Sequence, residues 1–158
     1  MKIIALLPAR LKSQRIKEKL LKKIMGMPVI VHTILRAKLS KSLSNTIICT
    51  DSKKIENCVK KYSKTFISKK KHNNGTERIA EIAKKIKADL IIDIHSDEAI
   101  IDPKNIDKLI SFHKKNKKFD IVVPHKISKL SGGENVVKIL VNKLNQVLYF
   151  TRSEAPHG

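Results

Sequence analysis

Short apolar runs alternate along this chain with stretches in which apolar residues recur every three or four positions. Lys2-Ile3-Ile4-Ala5-Leu6-Leu7, closed by Pro8, has the look of a buried first strand. Pro28 opens an amphipathic helical segment that runs from Val29 to about Leu39. Thr46-Ile47-Ile48-Cys49-Thr50 is a second short strand, ending at Asp51. Helical spacing from Ile55 to Tyr62 leads to a brief third strand, Thr65-Phe66-Ile67. A polar break from Lys69 to Gly75 precedes a helix from Thr76 to about Lys87, with Ile79, Ile82, Ala83 and Ile86 on one face. Leu90 to Ile94 reads as a fourth strand, Pro103 starts another helix, and Asp120 to Val123 reads as a fifth strand. Finally, Val136–Val141 and Gln146–Arg152 flank Asn142-Lys143-Leu144-Asn145 in the pattern of a β-hairpin.

Strand–helix alternation predicts an α/β fold: a three-layer sandwich with a mostly parallel sheet, Rossmann-like, followed by the hairpin. Binding groups then belong at the carboxyl ends of strands, after Leu7, Thr50 and Ile94. Asp93 interrupts an apolar run and suits a sheet-edge or loop-facing position. The 158 residues fit one domain, and the stop at Pro156-His157-Gly158, without a capping helix or charged tail, reads as truncated.

Composition narrows the function. A chain with 41% apolar residues, 4% aromatics and no Trp must build its core from Ile, Leu and Val. Its net charge of +20 raises the prospect of a nucleic-acid or anionic partner. Yet the only arginines are Arg10, Arg15, Arg36, Arg78 and Arg152, while the lysines spread along the whole chain. Base and phosphate readout favours Arg, so this pattern fits a solvated surface better than a nucleic-acid binder, and Lys69-Lys70-Lys71 fits a solvated loop. Cys49 and Cys58 lack metal-ligand spacing and read as reduced filler residues. No apolar run is long enough to span a membrane, and the first is too short for a signal peptide, which points to the cytoplasm.

The densest chemistry follows the first strand. Arg10, Lys12, Arg15, Lys17 and Lys19 crowd into ten residues, between a strand and the next helix. In α/β proteins this is where phosphate is held, and Arg forks and Lys ammonium groups match polyphosphate. On spacing alone an ordinary basic loop is an equal reading.

Four ordered segments then point to a family. They are Pro8-Ala9-Arg10 with Ser13 and Arg15; Ile24-Met25-Gly26-Met27-Pro28-Val29-Ile30-Val31-His32; His72-Asn73-Asn74-Gly75-Thr76-Glu77-Arg78; and Asp97-Glu98, with Tyr149-Phe150-Thr151-Arg152 later. Together they resemble the 3-deoxy-manno-octulosonate (Kdo) cytidylyltransferases and, more distantly, the acylneuraminate cytidylyltransferases. The resemblance implies a nucleotide-diphospho-sugar transferase-like fold and transfer of CMP from CTP to a Kdo-type acidic sugar, with release of pyrophosphate, for lipopolysaccharide synthesis. It further implies that Arg10, Ser13, Arg15 and Lys19, in the motif begun by Pro8 and Ala9, hold the triphosphate. His72, Gly75, Thr76 and Arg78 would lie over the nucleotide, with Gly75 permitting a backbone turn that a side chain would block. Asp97 would be a ligand for Mg²⁺, and Arg152 would face the acidic sugar. Arg10, Lys19 and Asp97 are the implied catalytic set. Each also has a plainer reading: Thr76 as a helix N-cap, Asp97 as part of a solvated turn, Arg152 as an exposed strand residue.

Departures from the family pattern are also visible. Lys17-Glu18-Lys19-Leu20-Leu21 stands for the family's Pro-Gly-Lys-Pro-Leu, and His95-Ser96-Asp97-Glu98-Ala99 for Gln-Gly-Asp-Glu-Pro. The second aspartate for Mg²⁺, much of the sugar pocket and the segment that forms the family's homodimer are expected beyond residue 158. The alternative to an enzyme is therefore a truncated or degenerate homologue that binds nucleotide without catalysis.

Overall fold

The structure, a computed structural model, describes residues 1–13, 16–127 and 136–153. The chain divides into two compact units, Met1–Phe119 and Asp120–Gly158.

In the first unit, β1 (Ile3–Ala9) lies inside a four-stranded sheet, between β4 (Asn45–Thr50) and β6 (Leu90–Asp93). β5 (Lys64–Ile67) pairs with the outer side of β4. Every pair in this sheet is parallel; Leu6, for example, stands opposite Ile47 on one side and Asp93 on the other. Strands of this kind are buried on both faces, which is why β1 reads as a continuous apolar run instead of an alternating one. It continues through Pro8 to Ala9, past the boundary expected from the proline. The chain winds outward through β4 and β5 and then returns to the opposite side of β1 as β6. That reversal makes the carboxyl ends of β1 and β6 a natural binding crevice. Asp93 stands on β6 at the edge of this sheet.

The two faces carry separate cores. Ile3, Ala5, Leu7 and Ala9 meet residues of α1 (Val29–Lys38), α2 (Lys53–Val59) and α4 (Pro103–Lys115), among them Ile30, Ile34, Ile55 and Ile110. Ile4 and Leu6 meet Ile79 and Ile82 of α3 (Gly75–Ala83), with Cys49 of β4. A three-layer sandwich results. Burial of Ile79 and Ile82 stabilises the packing of α3 by about 2 kcal/mol each. Both cysteines are free, Cys49 buried and Cys58 partly so.

Several local expectations are corrected. The N-cap of α3 is Asn74, not Thr76: its side chain accepts from the Glu77 N–H at 2.9 Å, while Glu77 accepts from the Asn73 N–H at 2.9 Å. That reciprocal capping satisfies donors the first turn leaves orphaned. The helix also closes at Ala83, short of Lys87. Asp120 to Val123 forms no strand; Ile121 is 81% exposed, and no neighbouring strand is paired with it among the described residues. A strand without a ladder partner leaves its backbone groups unpaired.

Two features lie outside the expected pattern. A 3₁₀ turn at Lys19–Leu21 follows the cationic loop, and β2 (Lys23–Ile24) pairs with β3 (Met27–Pro28) in a small hairpin. Its turn places Met25 at φ 47° and Gly26 at φ 81°, the positive values a two-residue type I′ turn requires. In the second unit, β7 (Lys138–Val141) and β8 (Val147–Thr151) form the expected antiparallel hairpin, with the Asn142 side chain accepting from the N–H groups of Leu144 and Gln146.

Candidate functional site

The carboxyl ends of β1 and β6 border a cleft of about 240 Å³. Pro8, Arg10, Lys12 and Ser13 enter it from β1 and the loop beyond, and Lys19 from the 3₁₀ turn. His95, Ser96 and Asp97 enter from the loop after β6. Arg10 and Lys12 are exposed at the rim. Leu20, buried in the core beside α1, fixes the turn that presents Lys19.

The ammonium of Lys19 donates to the Asp97 carboxylate and forms an ion pair with it across the cleft. Partial burial pushes the Asp97 carboxyl up. The Lys19 hydrogen bond and charge, its own backbone N–H and His95 outweigh that and hold it below the ordinary range. Two loops that are 78 residues apart thereby meet in one charge pair.

The loop carrying Asp97 is itself anchored. The β1–β6 ladder ends where the Ile94 N–H donates to the Leu6 carbonyl at 3.1 Å. Two residues on, the Ser96 hydroxyl donates to the Pro8 carbonyl at 2.8 Å. The Ser96 carbonyl in turn accepts from the Thr33 hydroxyl of α1 at 3.0 Å. Ser96 and Thr33 are both buried. Neither stands out as a site residue in the sequence, because their partners lie 88 and 63 residues away and leave no local pattern.

Glu18 precedes Lys19 in the left-handed region, at φ 51° and ψ 37°. Its carboxylate accepts from Lys54 Nζ at 2.7 and 2.8 Å, which ties the loop to the first turn of α2. That hydrogen bond, over a smaller opposing effect of burial, lowers the Glu18 carboxyl below its usual range.

The second expected segment approaches β1 from the other face. A Cβ on Gly75 would meet Pro8 Cγ at 3.3 Å and Cβ at 3.4 Å, so glycine here lets the start of α3 close onto the end of β1. Its φ is not positive; close approach, and not an unusual turn, is the local requirement. Thr76 is exposed in the first turn of α3. Arg78 is buried and donates through Nη2 to Asp51 Oδ2 at 2.8 Å, joining α3 to the end of β4. His72 Nε2 lies 3.1 Å from Glu81 Oε2, with both side chains mostly buried. Arg78 Nη1 and His72 Nδ1 are buried without a hydrogen-bond partner. Donors and acceptors in that condition suit a ligand or water. Lys85 and Ser68 also donate to Glu81, and these bonds bring its carboxyl down to about 2.

The expected site residues therefore fall into groups. Pro8, Arg10, Ser13, Lys19 and Asp97 share the cleft. Gly75 stands where a Cβ would crowd Pro8, whereas His72 and Arg78 turn into polar contacts around α3. Ala9 is a core residue. Arg15 lies outside the described residues. Arg152 follows β8 in the second unit, where its carbonyl accepts from Lys138 Nζ at 3.1 Å.

Among the described residues no cluster of three or more His, Cys, Asp or Glu could hold a metal. Among those same residues Asp97 is the one carboxylate lining the cleft. This donor set fits a hard cation that arrives with phosphate oxygens, not one caged by protein alone. No helix among the described residues is long and apolar enough to cross a membrane.

Comparison with known proteins agrees with this architecture. The cytidylyltransferase family model matches residues 4–158. The chain is 33% identical over 163 residues to a 3-deoxy-manno-octulosonate cytidylyltransferase of Chloroherpeton thalassium, covering 99% of this chain and 66% of that protein. It is 30% identical over 159 residues to the Escherichia coli protein of the same name, covering 99% of this chain and 65% of the other. It thus spans just under two thirds of the length of these relatives. Among solved structures, CMP:2-keto-3-deoxy-manno-octonic acid synthetase complexed with CTP superposes with a TM-score of 0.85 at 29% identity, covering 99% of this chain and 66% of that one. A cytidylyltransferase from Leptospira borgpetersenii has a TM-score of 0.66 at 25% identity, over 74% of this chain and 50% of its own. The parallel sheet, the cationic loop at its switch point and a family match along nearly the whole sequence lead to one assignment: this chain belongs to the cytidylyltransferase family.

Proposed function

We propose that the cleft between β1 and β6 binds CTP, and that the protein transfers CMP from it to a Kdo-type acidic sugar, releasing pyrophosphate, as a cytoplasmic step toward lipopolysaccharide. The observation that carries this reading is the convergence of Arg10, Lys12 and Lys19 on one side of a cleft and Asp97 on the other. The names of the related proteins and the CTP in the related structure support the choice of nucleotide and acceptor.

Each residue then has work to do. Arg10 and Lys12 neutralise the triphosphate, Arg10 through a fork that matches two phosphate oxygens. Lys19 exchanges the Asp97 carboxylate for phosphate and stabilises the charge that grows on departing pyrophosphate. Ser13 offers a hydroxyl donor to the same group. The anomeric hydroxyl of the sugar forms a bond to the α-phosphorus as the bond to the pyrophosphate oxygen breaks, and its proton passes to solvent. Asp97, with phosphate oxygens, would hold Mg²⁺, which when bound offsets phosphate charge that repels the nucleophile. Gly75, Thr76, His72 and Arg78 would form the wall over the nucleoside.

The test is pyrophosphate release with CTP, Kdo and Mg²⁺. Slow release that requires Kdo and is lost in Asp97→Asn is the expected result. The single cleft carboxylate among the described residues favours a second reading, a nucleotide-binding homologue without catalysis. CTP binding with no release would select it.

A further inference from the structure

The cleft residue Asp97 owes its place to two hydroxyls that do not face the cleft as ligands. Ser96 and Asp97 are the central residues of a turn closed by the Glu98 N–H donating to the His95 carbonyl at 3.1 Å. Ser96 is 3% exposed and Thr33 fully buried, and the one other acceptor near the Thr33 hydroxyl among the described residues is the Val29 carbonyl of its own helix, at a longer 3.3 Å. In the parallel ladder, the Pro8 carbonyl is the next acceptor after Leu6, and a backbone N–H would ordinarily take it. Here the Ser96 side chain takes it at 2.8 Å, which lets the main chain leave the sheet without orphaning that carbonyl. The second bond lies closer to the chemistry. The carbonyl that Thr33 holds at 3.0 Å belongs to the peptide joining Ser96 to Asp97. Fixing that carbonyl fixes the rotation of the peptide plane, and hence the direction in which the Asp97 side chain leaves the backbone.

We infer that Thr33 and Ser96 are positioning residues that set the Asp97 carboxylate for the metal-bearing nucleotide. Resting on the CTP reading above, this assigns the geometry of its carboxylate to a clamp between α1 and β1. Ser96 occupies the place of the glycine in the resembled family's pattern. A glycine there has no hydroxyl for the Pro8 carbonyl, so the Ser96 half of the clamp is a feature of this chain.

The experiment measures CTP affinity of the full chain by calorimetry, with Mg²⁺ and with EDTA, and takes the ratio as the metal-dependent gain. Asp97→Asn is the reference and is expected to abolish the gain. Thr33→Val keeps the shape but removes the donor; the gain is expected to fall about fivefold, the effect of one lost hydrogen bond. Affinity in EDTA, set by Arg10, Lys12 and Lys19, is expected to change by less than about twofold. Thr33→Ser restores the hydroxyl and should restore the gain. Ser96→Ala serves as a second variant if Thr33→Val folds poorly, and should also lower the gain.

A Thr33→Val chain that keeps the full gain, while Asp97→Asn loses it, overturns the positioning role. So does an equal loss of affinity with and without metal, which would mark Thr33 as purely structural. A gain that survives Asp97→Asn, or no CTP binding by the unsubstituted chain, overturns the underlying reading and this inference with it.

Discussion

Lys19 and Asp97 neutralise each other across the cleft, so the cation needed for phosphate and the carboxylate suited to a metal occupy one another. On the proposed reading, nucleotide entry breaks this pair. Asp97→Asn is therefore expected to release Lys19 and to tighten CTP binding in EDTA by about fivefold, while Lys19→Gln in the same background cancels the change. Calorimetry on the four variants of that cycle checks it. Equal tightening with and without Lys19 would mean simple removal of repulsion.

The acid limb of stability depends on Glu81. Its carboxyl is lowered from an ordinary 4.5 to about 2 by Lys85, Ser68 and His72, so the folded chain binds its proton less readily than the unfolded chain. The sign follows: the stabilisation is complete above about 4.5 and is lost as pH falls toward about 2. Glu81→Gln is expected to be less stable than the parent at neutral pH and to flatten the melting-temperature curve across that window. Parallel curves would remove Glu81 from the account.

Glu18 combines a left-handed backbone with an ion pair to Lys54. Replacement by Ala keeps the backbone strain and loses the pair, whereas Gly loses the pair but removes the strain. Thermal melting is expected to rank Glu18→Gly above Glu18→Ala. The reverse order would show that the backbone conformation costs nothing here.

Gly75→Ala places a methyl 3.3 Å from Pro8, on a sheet-interior strand that cannot readily yield. The expected cost is about 1 kcal/mol, read as a lower melting temperature, even though Ala is the better helix former. An unchanged or higher value would show that the proline ring gives way.

The sheet was legible because buried parallel strands announce themselves as apolar runs, as in Ile3–Leu7 and Leu90–Ile94. Apolar character alone misled at Asp120–Val123, since a strand also requires a partner. The N-cap of α3 was in principle readable from Asn74 and Glu77, three apart, but Thr76 offers a competing hydroxyl two residues later. That Arg10, Lys19 and Asp97 line one cleft could be anticipated because charged residues cluster visibly and match a family pattern. The pairing of Arg78 with Asp51 and the Thr33–Ser96–Pro8 clamp could not be, since each depends on contacts between distant segments.

Everything proposed for the cleft depends on the loop after β1 receiving the triphosphate of CTP. That is tested most directly by titrating the chain with CTP and with CMP, for the parent and for Arg10→Ala, at two salt concentrations. CTP is expected to bind more tightly than CMP, the preference to shrink at higher salt, and Arg10→Ala to lose about tenfold in CTP affinity. Equal CTP affinity in the parent and Arg10→Ala, or no preference for CTP over CMP, would contradict it.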